Sequence, residues 1–201
     1  MKKHLLNAVL MTVATTVLLG ILYPLLVMGL AKVFFPEQAK GELITSRSGV
    51  VIGSRLIGQP FTGPGYFHSR LSAAGAAGYD ASASTGSYLG PTNAQLIARV
   101  NGDVARVQAE NPGVPVPVDM VTTSASGLDP DITPAAASFQ IRRVALEPKA
   151  AEADIAKLVS EHLTNRQWGF LGEARVNVLE LNLALDERFP VAQKSLSSSA
   201  R

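Results

Sequence analysis

The stretch LLNAVLMTVATTVLLGILYPLLVMGLA, residues 5–31, contains no charged side chain and decides how this chain is built. A helix of this length is roughly 40 Å long, which exceeds the roughly 30 Å hydrocarbon core of a bilayer. Gly29-Leu30-Ala31 resembles a signal-peptide cleavage site. A secretory signal, however, has an apolar region of only about 7–15 residues. We therefore predict an uncleaved transmembrane anchor within residues 1–35.

Basic residues flank the span on both sides, so the charge bias that orients it is small. Lys2 and Lys3 precede the span, and Lys32, Lys40 and Arg47 follow it. No second apolar stretch reaches spanning length, which predicts a single crossing. The short tail before the span favours a cytoplasmic N-terminus, so the rest of the chain is predicted to lie outside the cytoplasm.

Small side chains recur every four residues along the span, at Ala8, Thr12, Thr16 and Gly20. A stripe of this kind lets a second helix approach closely and predicts a partner-facing surface. Chance is the alternative, because small residues are common in membrane helices. Pro24 lacks an N–H group, so it predicts bending or weakened hydrogen bonding nearby.

Residues 36–190 have the composition of a folded extracytoplasmic domain, and the Ser-rich segment 191–201 is predicted to be a disordered tail. Helical and strand patterns mix in this body, which predicts an α/β (α+β) fold with one small sheet. Net charge is +2 without a long basic run, so nucleic acid is not an expected partner. Cysteine is absent, which excludes disulfides and thiolate metal sites.

The body divides into patterned segments. Short β-favouring runs predict strands within residues 50–61, and the Gly-, Ala- and Ser-rich residues 63–93 predict a binding loop or a partner surface. Apolar spacing predicts helices over residues 96–107, 134–146 and 151–164. Valine alternation predicts an edge strand at 114–121. Residues 169–189 fit a strand with a bulge at Val178-Leu179, and a helix is the competing interpretation.

The polar segment TTSASGLDPDITP, residues 122–134, precedes a predicted helix that starts at Thr133-Pro134. Free N–H groups at a helix N-terminus favour anions, which is one interpretation of the segment. The alternative is that serine and aspartate side chains satisfy the backbone of a tight turn, with Gly127 supplying a positive φ.

Known catalytic patterns are missing from the sequence. There is no G-x-S-x-G elbow, no pair of histidines at a ligand spacing and no G-x-x-x-x-G-K-[ST] loop. A single span also cannot shield an ion pathway by itself. These observations predict a membrane-tethered accessory module without a catalytic centre, metal or cofactor of its own.

Seven motifs in a shared order give the chain a resemblance to the KdpC family, the C subunit of the bacterial Kdp potassium-transporting P-type ATPase. They are Tyr23-Pro24, GSRLIGQPF (53–61), YFHSR (66–70), TGSYLGPTN (85–93), VPVDMVTTSASGLDPDIT (116–133), QIRRVA (140–145) and VNVLELNLALD (176–186). Two positions depart from the family pattern: Leu71 stands where proline is usual, and Tyr88 replaces a common asparagine.

The resemblance implies a non-catalytic subunit that works with an ion-conducting, an ATP-hydrolysing and a small hydrophobic subunit. It implies a chaperone role that raises the ATP affinity of the pump subunit. The residues that it assigns to nucleotide binding are Ser124, Ser126, Gly127 and Gln140.

The predicted topology places these residues outside the cytoplasm, where ATP is not available. The other hypothesis is therefore that the body caps the outer mouth of the ion-conducting subunit. The surface predicted for partner contact or potassium access comprises Tyr66, Phe67, Arg70, Asp129 and Asp131. Asp119 belongs to the same acidic group, and these acids could instead cap turns. A single-span binding module unrelated to transport is the alternative function.

Overall fold

The computed structural model describes residues 2–46 and 49–190. Arg47 and the predicted tail therefore lie outside the described residues. The chain forms two compact units, which divide between Ser54 and Arg55. The boundary predicted at residue 35 stays a prediction, and the two units are described one at a time.

The first unit begins with a 33-residue helix, Lys2–Phe34, that is long and apolar enough to cross a membrane. It consists of α1 (Lys2–Thr15), a π-helical segment (Thr16–Leu22) and α2 (Tyr23–Phe34). The N–H of Tyr23 donates to the carbonyl of Leu18, five residues back. This wider turn lies immediately before Pro24, so the predicted disturbance of the hydrogen-bond pattern is confirmed.

The rest of the first unit is short. Helix α3 (Pro36–Ala39) precedes an antiparallel hairpin of β1 (Leu43–Thr45) and β2 (Val51–Ser54). The register shifts between Ile44 and Thr45. The hairpin confirms the strand predicted near residue 51.

Over its described residues, 55–190, the second unit contains four α-helices and a three-stranded sheet. Its elements, in chain order, are α4 (Ala94–Glu110), a 3₁₀ turn (Val118–Met120), β3 (Asp131–Ile132), α5 (Pro134–Leu146), α6 (Glu152–Glu161), β4 (Leu163–Thr164), β5 (Arg175–Asn177) and α7 (Val178–Arg188). Residues 55–93 form no helix or strand, as predicted for 63–93, whereas the strand prediction for 50–61 is wrong beyond Ser54.

A small antiparallel sheet in the order β3-β5-β4 organises the core of this unit. Ile132 pairs with Val176, and Val176 pairs with Leu163 on its other side. Helix α5 packs on α6, and α6 packs on α7. Helix α5 starts as predicted: the Thr133 side chain accepts a hydrogen bond from the N–H of Ala136, and Pro134 occupies the first turn.

Three expectations need correction. Residues 114–121 form no strand and instead end in the 3₁₀ turn, because prolines at 115 and 117 remove two N–H donors from any ladder. The bulged strand at 169–189 is wrong, and the competing helix is right for Val178–Arg188. Asn177 caps this helix by accepting a hydrogen bond from the N–H of Glu180. The helix therefore begins at Val178, where the sequence had suggested a bulge. The described residues contain two small sheets, where one was expected.

Candidate functional site

The segment SASGLD, residues 124–129, forms a tight turn that we call the serine–glycine loop. Gly127 lies in it with a φ of +67°, as its turn position predicted. A Cβ atom on Gly127 would lie 2.6 Å from the carbonyl oxygen of Thr85 and 2.8 Å from the amide nitrogen of Ala74. Both neighbours are backbone atoms, so the turn requires glycine for its backbone angle and also for space.

The two serines of the loop form hydrogen bonds with its own backbone. The Oγ of Ser124 accepts from the N–H of Gly127 at 2.9 Å, and the Oγ of Ser126 accepts from the N–H of Leu128 at 3.1 Å. The carbonyl of Ser126 accepts from the N–H of Thr85 at 3.0 Å. These are the bonds of a self-satisfied turn. The nucleotide role of the loop stays a prediction.

A pair of buried side-chain amides, which we call the amide clamp, holds the backbone of residues 67–68. Asn182 accepts from the N–H of Phe67 at 2.8 Å and donates to its carbonyl at 2.9 Å. Gln140 accepts from the N–H of His68 at 2.7 Å and donates to its carbonyl at 3.1 Å. The clamp thus provides the backbone with the partners that a neighbouring strand would supply.

Arg143 connects the amide clamp to the loop that precedes it. It donates to the Oε1 of Gln140 at 2.6 Å and to the carbonyls of Pro64 and Tyr66 at 2.6 and 2.9 Å. Its Nε lies 3.0 Å from a carboxylate oxygen of Glu110. Burial lowers the pKa of Arg143, and the Glu110 carboxylate opposes that shift. Both polar atoms of Gln140 are therefore already engaged within the protein.

His68 lies beside this arginine. Burial is the main reason that the pKa of His68 falls below its ordinary value of 6.5, and the positive charge of Arg143 adds to the shift. Its Nε2 is 3.0 Å from the carbonyl oxygen of Gly63, which suits a neutral ring that carries its proton on Nε2. His68 is therefore an uncharged hydrogen-bond donor to the carbonyl of Gly63.

Arg70 borders three adjoining hollows in the second unit. Its Nη1 donates to the Oδ2 of Asp129 at 2.9 Å, and its carbonyl accepts from the hydroxyl of Tyr79. One of these hollows has a volume of about 450 Å³. Its lining includes Phe61, His68, Tyr79, Arg106, Glu110 and Met120.

The acidic residues predicted to attract potassium have partners within the protein. Asp131 lies 2.9 Å from Arg175, and the Asp119 carboxylate accepts from the N–H of Thr133 at 2.8 Å. The Asp129 carboxylate accepts from the N–H of Asp131 at 3.1 Å and also pairs with Arg70 as above. Burial raises the pKa of Asp131, while Arg175 acts in the opposite direction. These contacts are the turn-capping arrangement that the sequence left open.

Two aromatic residues predicted for the partner surface have different positions. Phe67 is 0% exposed, so it is a core residue and its assignment to a surface is wrong. An apolar ring gains more from burial than from exposure to water. Tyr66 is half-buried, donates to Asp186 at 2.9 Å and contacts the ring of Phe61.

The two departures from the family pattern lie at different depths. Leu71 forms a parallel bridge with Thr123, next to the serine–glycine loop. Tyr88 is 86% exposed and has a φ of +51°. An asparagine tolerates this backbone region better than tyrosine.

The predicted nucleotide residues form two separate groups. Ser124, Ser126 and Gly127 share one loop, whereas Gln140 lies on α5 and bonds to His68, Arg143 and Met120. No hydrogen bond is found between Gln140 and that loop among the residues described. No group of histidine, aspartate or glutamate residues suited to a metal ion occurs among them either.

The small-residue stripe lies on the apolar helix Lys2–Phe34. The Oγ1 of Thr12 donates to the carbonyl of Ala8 at 2.9 Å, so this hydroxyl is satisfied within its own helix. Thr16 and Gly20 both lie in the π-helical segment, where the methyl group of Thr16 would be 3.8 Å from a Cβ on Gly20. The partner role of the stripe stays a prediction.

Two features escaped the sequence analysis. Asn182 interrupts an apolar helix face, and an amide at a core position is a signal for a buried hydrogen bond. Residues 165–172, which we call the aromatic tip, connect β4 to β5 and expose Trp168, Phe170 and Leu171. Two large aromatic residues beside glycines in a predicted strand could have indicated a turn.

Together, the apolar helix and the internally bonded body define a protein with one candidate membrane anchor and a mixed α/β domain. The sequence model of the KdpC family, described as the c chain of K⁺-transporting ATPases, matches residues 5–187. The chain therefore belongs to the KdpC family, and the resemblance indicated by the motifs is confirmed.

Curated relatives agree over nearly the full length. The potassium-transporting ATPase KdpC subunit of Koribacter versatilis is 62% identical over 95% of this chain and 98% of that protein. The proteins of the same name from Acidobacterium capsulatum and Caulobacter vibrioides are 57% and 55% identical. These matches cover 92% and 94% of this chain and 98% and 96% of the relatives.

Proposed function

We propose that this chain is an accessory subunit of a high-affinity, ATP-driven potassium-uptake complex in the bacterial inner membrane. The observation that carries the proposal is the family match over residues 5–187, which includes the apolar helix and the body together. Its partners are an ion-conducting subunit, an ATP-hydrolysing subunit and a small hydrophobic subunit. The chain itself has no catalytic centre or cofactor, and ATP binds to the complex through the pump subunit.

The proposed arrangement has a cytoplasmic N-terminus, a single crossing and a periplasmic body. The basic residues Lys2 and Lys3, which precede the span, support this orientation. A C-terminal fusion to a reporter enzyme that is active only in the periplasm tests it. The expected result is an active periplasmic reporter, and activity of a cytoplasm-dependent reporter would contradict the orientation.

Of the two accessory roles, we favour a cap on the outer mouth of the ion-conducting subunit. Supporting this choice, both polar side-chain atoms of Gln140 bond within the protein, so a nucleotide at this residue would have to replace existing hydrogen bonds. Transport by the complex with and without this chain separates the roles. A cap changes the KM for potassium, whereas the chaperone role changes the KM for ATP.

Co-purification tests the proposed assembly through the spanning helix. Gly20→Leu adds a large side chain to the small-residue stripe and should weaken recovery of the complex. Gly29→Leu is the matched control, because Gly29 belongs to the same helix and lies outside the four-residue repeat. Equal recovery of both variants would argue against the stripe as a helix contact.

A further inference from the structure

The aromatic tip exposes large apolar side chains. Trp168 is 84% exposed and Phe170 is 73% exposed, and their ring centroids are 6.4 Å apart. Leu171 next to them is also exposed. An isolated exposed apolar residue is ordinary, but three adjacent ones at a turn mark an interaction site.

Backbone hydrogen bonds hold the aromatic tip in one shape. The N–H of Gln167 donates to the carbonyl of Leu171 at 2.9 Å, and the N–H of Leu171 donates back to the carbonyl of Gln167 at 2.9 Å. The tip also continues into β4 and β5, whose residue Val176 is completely buried. The exposed side chains are therefore presented by a fixed turn.

The backbone conformation also favours outward presentation. Trp168 and Gly169 have successive positive φ values of +51° and +82°, the pattern of a type I′ hairpin turn. Asparagine or glycine is the usual residue at the first of these positions, and tryptophan is disfavoured there. A strained residue of this size at an exposed position indicates a role outside the fold.

Charge identifies the surface that the tip fits. Residues 164–172 contain no acidic residue and one basic residue, Arg166, which is exposed. Arg166 has no ion-pair partner among the described residues. Aromatic rings with an adjacent cation suit the headgroup region of an anionic bilayer, where tryptophan is enriched. The candidate anchor, Lys2–Phe34, belongs to the same chain as the tip. Anchoring therefore gives the tip a high effective concentration of nearby lipid.

We propose that the aromatic tip inserts Trp168 and Phe170 into the headgroup region of the anchoring membrane, with Arg166 contacting anionic lipid. An exposed hairpin turn would need a shaped pocket on a protein partner, whereas a bilayer interface accepts it without one. A pocket on a sister subunit is the competing outcome of the test.

Trp168 is the only tryptophan in the sequence, so its fluorescence reports on the tip alone. The full chain is reconstituted into vesicles of phosphatidylcholine and phosphatidylglycerol, with and without brominated acyl chains. The expected result is a blue-shifted emission that brominated lipid quenches. Vesicles without phosphatidylglycerol should show weaker quenching, because Arg166 loses its anionic contact.

Two variants make the result specific. Phe170→Asp changes an exposed side chain and should abolish the quenching while leaving the far-UV circular dichroism unchanged. The matched control combines Trp168→Phe with Tyr88→Trp, which moves the reporter to another exposed position with a positive φ. Its emission should not be quenched by brominated lipid.

Two results would overturn the proposal. Emission of Trp168 that stays typical of water and is not quenched excludes lipid contact. A blue shift that appears only in the assembled complex, without quenching by lipid, assigns the tip to a protein pocket. Neither result affects the proposed transport role, which is tested separately by co-purification and potassium uptake.

Discussion

The serine–glycine loop and the aromatic tip are both turns with positive φ angles. Their side chains differ, because those of the loop bond within the protein and those of the tip are exposed. Around Gly127, polar groups bond to one another and backbone atoms fill the space where a side chain would stand. Around Trp168, the polar groups of the backbone are satisfied and large apolar side chains face outward. A polar loop can therefore be structural, while an apolar turn carries the exposed recognition chemistry.

The largest expected effect comes from Gly127→Ala. The added Cβ meets two backbone atoms at 2.6 and 2.8 Å and also occupies a positive φ. We expect a loss of about 4 kcal/mol in unfolding free energy, combining overpacking with backbone strain. Denaturant unfolding of the full chain in detergent measures it.

Gly169→Ala is the matched control for that change. Gly169 has a φ of +82°, but nothing lies within 4 Å of its missing side chain. Only the strain remains, so we expect a loss of about 1 kcal/mol. Equal losses in the two variants would contradict the assigned crowding around Gly127.

The amide clamp is the next most sensitive feature. Asn182→Leu leaves the buried N–H and carbonyl of Phe67 without partners, and we expect a loss of about 3 kcal/mol. Asn101→Leu, at an exposed position of α4, should change stability by less than about 0.5 kcal/mol. Hydrogen exchange at the amide of Phe67 should accelerate in the first variant alone.

Acid should weaken the second unit through His68. Its folded pKa is below 6.5, so the unfolded chain binds more protons and stability falls as pH decreases through about 6.5. His68→Gln keeps an N–H donor for Gly63 and removes the titration. Between about pH 7.5 and 5.5, the unfolding midpoint of this variant should decline less than that of the unaltered protein. Equal declines in the two proteins would show that His68 does not cause the loss of stability.

The smallest expected effect comes from the aromatic tip. Trp168→Asn replaces a tryptophan at φ +51° with a residue that tolerates this region. We expect a gain of about 0.5–1 kcal/mol, because strain is relieved and no buried contact is lost. Thermal unfolding followed by circular dichroism measures it, and a clear loss would show that Trp168 packs within the fold.

Local chemistry made much of this fold predictable. The uncharged run of residues 5–31 predicted the long apolar helix, and Thr133-Pro134 predicted where α5 begins. Both signals depend only on neighbouring residues. The bulged strand predicted at 169–189 failed over Val178–Arg188 because alternating leucines fit either structure, and the cap at Asn177 selects the helix.

The candidate site was less predictable, since its contacts join residues far apart in the chain. Asn182 bonds to Phe67 across 115 residues, and Gln140 bonds to His68 across 72. No local pattern records such pairings. Phe67 was placed on the surface for this reason, as an aromatic residue in a polar loop can point either way.

By itself, the sequence determined the family, the length of the apolar helix and the positions of glycine and proline, because each depends on composition or on adjacent residues. Only the tertiary structure decided that the serine–glycine loop is bonded internally and that the aromatic tip is exposed. Burial depends on which distant segments meet. A hydroxyl or a ring has the same local sequence whether its partner is the protein, a lipid or water.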